Sequence, residues 1–167
     1  MKQLIIIYLL AIISFNLSAY GPTGHRVIAS VAQDELKPGA KKQIEKILGK
    51  NGLIYFSTWA DEVRDLPEYK YTSGWHYQNL QPGMSAEALT QLWNNPTAEG
   101  EHLFYAIQEL KNKLMKNKQD SVALKFLIHF MGDLHQPMHL GRLDDLGGNK
   151  VPYTWFGDKI NIHSLWD

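Results

Sequence analysis

Between Val122 and Leu134 the chain reads VALKFLIHFMGDL, and only Lys125, His129 and Asp133 interrupt a run of apolar residues and one glycine. Asp120 or Ser121 can cap this stretch, and Pro137 stops it after about His135. A helix that is apolar on nearly every side has no face to give to water and must be wrapped by other elements. The chain is therefore expected to fold around one buried central helix, with His129 and Asp133 placed four residues apart on one of its faces.

The flanking sequence supplies helices to do the wrapping. Val27 to Leu36 carries apolar residues at helical spacing before Pro38, and Gly39 to Leu48 repeats the pattern up to Gly49. Ser57 is read as the cap of a helix through Trp59, Val63 and Leu66, and Ser85 as the cap of a short one to Trp93. Thr97 is read as the cap of a longer helix whose stripe is Leu103, Ile107, Leu110 and Leu114. His76 sits in an expected extended stretch. Near the end, Val151–Trp155 and Ile160–His163 flank Phe156–Lys159 as a small β-hairpin. The fold class that follows is all-α and single-domain with a minor β-hairpin near the C-terminus.

Composition narrows the chemistry. Hydrophobic residues make up 44% and charged residues 20%, a globular balance that excludes disordered, collagen-like and coiled-coil chains. Seventeen basic residues balance seventeen acidic ones, which argues against broad binding of a phosphate backbone by surface charge. No cysteine is present, so disulfides, thiol nucleophiles and thiolate metal sites are excluded. Residues 1–19 read as a secretory signal peptide: Lys2, an apolar run from Leu4 to Phe15, and Leu17-Ser18-Ala19 before the cut. The run is too short to span a bilayer. Cleavage would leave a domain of residues 20–167 starting at Tyr20, in a secreted or periplasmic location.

Seven histidines are the unusual feature. His129 and Asp133 share a face of the central helix, His139 follows just beyond Pro137, and His163 and Asp167 repeat the same four-residue spacing. A buried carboxylate or imidazole needs a partner. Taken alone, the His129–Asp133 pair reads first as a structural His–Asp hydrogen bond. Two such pairs with a third histidine nearby suit zinc, which takes imidazole nitrogen and carboxylate oxygen. Asp61, read singly, is a solvated helix acid, and His76 a packed histidine. His102 and His135 read as structural, His135 because it lies roughly 240° around the helix from His129.

Six segments taken together, Gly21–Arg26, Ser57–Asp61, Trp75–Tyr77, His129–His139, Gly147–Asn149 and His163–Asp167, resemble the trinuclear-zinc, single-strand-specific nucleases, also called type I nucleases or 3′-nucleotidases. These secreted all-α enzymes are structurally akin to zinc-dependent phospholipase C. The resemblance implies three Zn²⁺: one held by Asp61, His76, His129 and Asp133, a second by His139, His163 and Asp167, and a third by His25, Asp133 and the main-chain amine and carbonyl of Tyr20. It further implies that Arg64 stabilises the phosphate, that Tyr77 and Asn149 contact substrate, and that Asn79 stands where many members have an aspartate that helps activate water. The implied reaction is hydrolysis of phosphodiester bonds in single-stranded DNA or RNA and of 3′-nucleotides, by a monomer with no protein partner and no membrane contact after processing. Two other readings are a phospholipase C-like phosphoesterase and a non-catalytic exported zinc-binding protein. Family members usually continue well past the last motif, so the chain is expected to be incomplete at its C-terminus. His25, Asp61, His76, His129, Asp133 and His139 are expected to converge in one cleft.

Overall fold

The computed structural model of the protein describes residues 20–96 and 102–167. The expected signal peptide and the expected Thr97 cap lie outside the described residues. In chain order the elements are α1 (Gly21–Glu35), α2 (Pro38–Leu48), α3 (Gly52–Tyr55), α4 (Trp59–Val63), α5 (Ala86–Asn94), α6 (Leu103–Lys116), α7 (Ser121–Asp133), β1 (Pro152–Trp155), β2 (Asp158–Asn161) and α8 (Ile162–Trp166). Tight helical turns at Phe56–Thr58, Lys70–His76 and Pro137–Leu140 join them. The architecture is all-α with one small antiparallel hairpin. Among the described residues no helix is long and apolar enough to cross a membrane.

Local chemistry sets the boundaries. Pro22 occupies the first turn of α1, where its missing N–H costs nothing, so the helix begins six residues before the first apolar residue of the stripe. Lys37 is forced extended (ψ 142°) by Pro38, which ends one helix and opens the next. Asp120 caps α7 by accepting the Ala123 N–H, and Ser85 caps α5 by accepting that of Ala88. Ser57 departs from expectation: it is buried and its hydroxyl donates to the Ile54 carbonyl at 2.8 Å. Ser57 therefore sits inside the Phe56–Thr58 turn, the expected helix shortens to α4, and α3 before it is an element the sequence reading did not anticipate.

The core lies between α6 and α7. Leu103, Ala106, Ile107 and Leu110 of α6 meet Ala123, Phe126 and Phe130 of α7, with Ala60 and Trp75 closing the cluster. Phe126 and Phe130 stack at 5.6 Å, and each fully buried ring contributes roughly 1.5–3 kcal/mol relative to exposure. The expectation that α7 is wrapped on all sides holds for this flank and for the one bearing His129 and Asp133. It fails on the outer side, where Val122 and Met131 are exposed.

Two placements differ near the functional residues. His76 ends the Lys70–His76 turn instead of lying in a strand, and extended backbone starts only at Tyr77. In the hairpin, Trp155 pairs with Asp158 across a two-residue turn, Phe156-Gly157, with φ values of +47° and +95°. Paired left-handed residues match the twist of a hairpin, so the loop is tighter than expected and β2 begins at Asp158. The strand stops at Asn161, which caps α8 in a reciprocal pair with Ser164 and so puts His163 on a helix, not on a strand.

Candidate metal centre

Asp133 is fully buried at the end of α7, and four imidazoles from four segments face its two oxygens. Oδ2 lies 3.1 Å from His76 Nδ1 and 3.2 Å from His129 Nε2. Oδ1 lies 2.9 Å from His139 Nδ1 and 3.3 Å from His25 Nε2. Asp61 on α4 adds an oxygen 3.6 Å from His76 Nδ1 and 3.7 Å from His129 Nε2. Next to this cluster, Asp167 reaches His139 Nε2 at 3.4 Å and His163 Nε2 at 3.6 Å. The six side chains expected to converge do so, each within 3.7 Å of another.

His76 Nδ1 makes hydrogen bonds to Asp133 Oδ2 and His129 Nε2, each at 3.1 Å, but other polar atoms of the cluster are left over. Buried His25 Nδ1, His76 Nε2, His139 Nδ1 and Asp133 Oδ1 have no hydrogen-bond partner among the described residues. Asp133 Oδ1 and His139 Nδ1 are thus close without the alignment of a hydrogen bond. Leaving such groups unsatisfied is costly unless something else is held between them. Two rings are fixed from behind: His129 Nδ1–H donates to the Ser57 carbonyl at 2.7 Å, and His163 Nδ1–H to the Gly147 carbonyl at 2.8 Å. Each thereby turns Nε2, with its lone pair, toward the carboxylates, the outer support that metal-ligating histidines characteristically have. The residues fit a cation on this ground. Three sets have their ligand atoms within 4.8 Å of one another: His25, Asp61 and His129; His76, His129 and Asp133; and His139, His163 and Asp167. The last is one of the sets expected; the others divide the expected Asp61–His76–His129–Asp133 group and draw His25 toward Asp61 as well as Asp133.

The electrostatics have the same source. Burial alone would raise the Asp133 carboxyl, but His129 above all, with His139 and His25, holds it well below the usual carboxylate range. Burial pulls His139 down, yet Asp133 and Asp167 push it up to about 9. His129 and His163 are also raised, the first against its burial by Asp133, the second chiefly by Asp167. In the absence of a cation, protons on these rings neutralise the carboxylates.

In front of the cluster lies an open cleft of about 600 Å³. Arg64, Tyr77, Asn79 and Asn149, the four residues expected on the substrate side, all line it, as do Asp61, His76, His139, His163 and Asp167. Arg64 Nη1 is 3.6 Å from Asp61 Oδ1 and largely exposed. Tyr20, half-buried, directly precedes Gly21 and Pro22, which line the cleft. Its hydroxyl donates to the Gly132 carbonyl and its ring meets His25 edge-on at 5.4 Å. Burial, then Asp133 and Asp167, push its phenol up to about 12. His135 is exposed, its Nδ1–H donating to the Met131 carbonyl, and His102 lies against the Tyr77 ring at 5.7 Å, both apart from the cluster.

Three contributors have no signal in composition or spacing. The Ser57 and Gly147 carbonyls act through the backbone, and Gln136 works through a partner 31 residues away. Gly132 had a readable signal, a glycine inside a helix otherwise free of them. A Cβ there would stand 2.4 Å from His25 Nδ1, so only glycine lets α1 bring His25 against α7.

A family model described as S1/P1 Nuclease matches residues 20–167, and the chain belongs to this family. Endonuclease 5 of Arabidopsis thaliana is 33% identical over 162 residues, covering 89% of this chain and 55% of that protein. Nuclease S1 of Aspergillus oryzae is 29% identical over 154 residues, covering 89% and 53%, and Nuclease P1 of Penicillium citrinum is 29% identical over 154, covering 89% and 57%. The chain spans about half the length of the curated relatives it matches.

Proposed function

We propose that the protein is an exported zinc-dependent endonuclease that hydrolyses phosphodiester bonds of single-stranded DNA and RNA and releases phosphate from 3′-nucleotides. The observation that carries this is Asp133: one buried carboxylate faced on both oxygens by imidazoles, some with unsatisfied nitrogens, at the floor of an open cleft. The names of the relatives, endonucleases and nucleases, support a nucleic-acid substrate over a phospholipid. Residues 1–19 would be removed on export, and the mature domain would act as a monomer.

In this reading Asp61, His76, His129 and Asp133 hold one zinc and His139, His163 and Asp167 a second. His25, Asp133 and the amine and carbonyl of Tyr20 hold a third. Bound there, the ions would supply Lewis acidity toward water and phosphoryl oxygens, and with three carboxylates would leave the site at about +3, which attracts phosphate to a chain that is otherwise close to neutral. Asp133, whose two oxygens face different pairs of imidazoles, would be shared by two of these sets. Arg64, at the cleft wall, donates charge-assisted hydrogen bonds to the phosphate as negative charge builds on it. Asn79 is an amide, so it orients water by hydrogen bonding but removes no proton. Tyr77 presents a ring on which an unpaired base can stack, a contact closed to a base inside a duplex.

The test is hydrolysis of a single-stranded oligonucleotide, the matching duplex and lecithin, each with zinc and with chelator. Zinc-dependent cleavage of the single strand alone is expected. Hydrolysis of lecithin without any cleavage of the oligonucleotide would overturn the assignment.

A further inference from the structure

Gln136 is fully buried in the turn between α7 and the Pro137–Leu140 turn, and it touches neither the cleft nor any histidine ring through a hydrogen bond. Both halves of its amide are used. The Oε1 accepts the Met138 N–H, capping the turn that carries His139. The Nε2–H donates to Asp167 Oδ1 at 3.3 Å, across 31 residues of chain. That same oxygen lies 3.4 Å from His139 Nε2. The backbone extends the link: the Gln136 N–H donates to the Asp133 carbonyl, and the His139 N–H to the Gln136 carbonyl, each at 3.0 Å.

We infer that Gln136 is a positioning residue that sets the separation of His139 and Asp167 and thereby tunes the affinity of the His139–His163–Asp167 set for its cation. The inference rests on the metal-centre reading above. The chemistry asks for a neutral amide. A cap alone needs only an acceptor, which glutamate also offers. Orienting Asp167 needs a donor as well, and only glutamine supplies both at this length. An outer partner that orients a ligating group is typically worth about 10–100-fold in metal affinity.

The experiment is competitive zinc titration of the full chain, wild type and the Q136E, Q136M and D167N variants, against a chromophoric chelator. Glutamate keeps the acceptor for Met138 and sets a carboxylate against Asp167, and methionine removes both contacts at similar volume. Both variants should bind one zinc equivalent about 10–100-fold more weakly, with the other equivalents unchanged. In the D167N background Q136E should change zinc affinity less than twofold, because the group it acts through is gone. Wild-type affinities in Q136E would reduce Gln136 to a turn cap and overturn the inference. So would a uniform weakening of all equivalents, or loss of the folded state in both variants by circular dichroism. A wild-type chain that takes up no zinc would instead overturn the metal-centre reading and this inference with it.

Discussion

His139 Nδ1 lies 2.9 Å from Asp133 Oδ1, yet neither atom has a hydrogen-bond partner among the described residues. Two buried polar atoms at that distance, aimed past each other, mark a site shaped for a third body. Asp133→Asn should therefore remove most bound zinc together with cleavage, since one of the two oxygens becomes an NH₂ that cannot ligate. His135→Ala should remove neither, because His135 is exposed and engages only the Met131 carbonyl. Metal analysis of both purified variants decides the matter, and equal zinc loss in the two would contradict the assignment.

Gly132→Ala should act on metal and stability together. The new methyl would meet His25 Nδ1 at 2.4 Å and push α1 from α7. Overpacking of this kind costs about 1–3 kcal/mol. Urea unfolding of the variant should show that loss, and its zinc content should fall by the ion assigned to His25.

The dependence on pH should reverse with metal. In protein stripped of zinc, His139 is raised from 6.5 to about 9. A raised imidazole contributes stability that is complete below about pH 6.5 and lost as pH climbs through about 9. Thermal unfolding of the stripped protein should thus decline over that interval. Zinc affinity should rise over it, because the ligands must shed protons to bind. Flat stability from pH 6 to 9 in the stripped protein would count against the arrangement around His139.

Much of the fold could be read from periodicity and caps. The apolar run gave α7, and Asp120 and Ser85 begin their helices where capping chemistry puts them. The misplacements have local causes that periodicity does not carry. Ser57 bonds back to Ile54 instead of forward, and a two-residue turn shifts β2. Convergence of His25, Asp61, His76 and Asp133 depends on how α1, α4, the Lys70–His76 turn and α7 pack, and spacing could not supply it; only the resemblance proposed it. Gln136 stayed silent because its task lies with Asp167, and nothing in the run GDLHQPMH distinguishes that from a turn residue.

Processing should matter to the site. One zinc is assigned to the free amine of Tyr20, which is a peptide nitrogen in the precursor with its lone pair delocalised into a carbonyl. Protein carrying one extra residue, Met, before Tyr20 should lose the His25-side zinc, hold the other two more firmly, and cleave single-stranded DNA more slowly. Matched stoichiometry and turnover in the extended and processed proteins would remove Tyr20 from the ligand set.

The most direct test is an anomalous-difference map from crystals of the processed chain grown with zinc. A three-zinc centre built on Asp133 would give one peak bordered by Asp133 Oδ2, His76 and His129, one reached by Asp133 Oδ1 and His25, and one among His139, His163 and Asp167. Zinc peaks that leave both oxygens of Asp133 without a metal neighbour would contradict it.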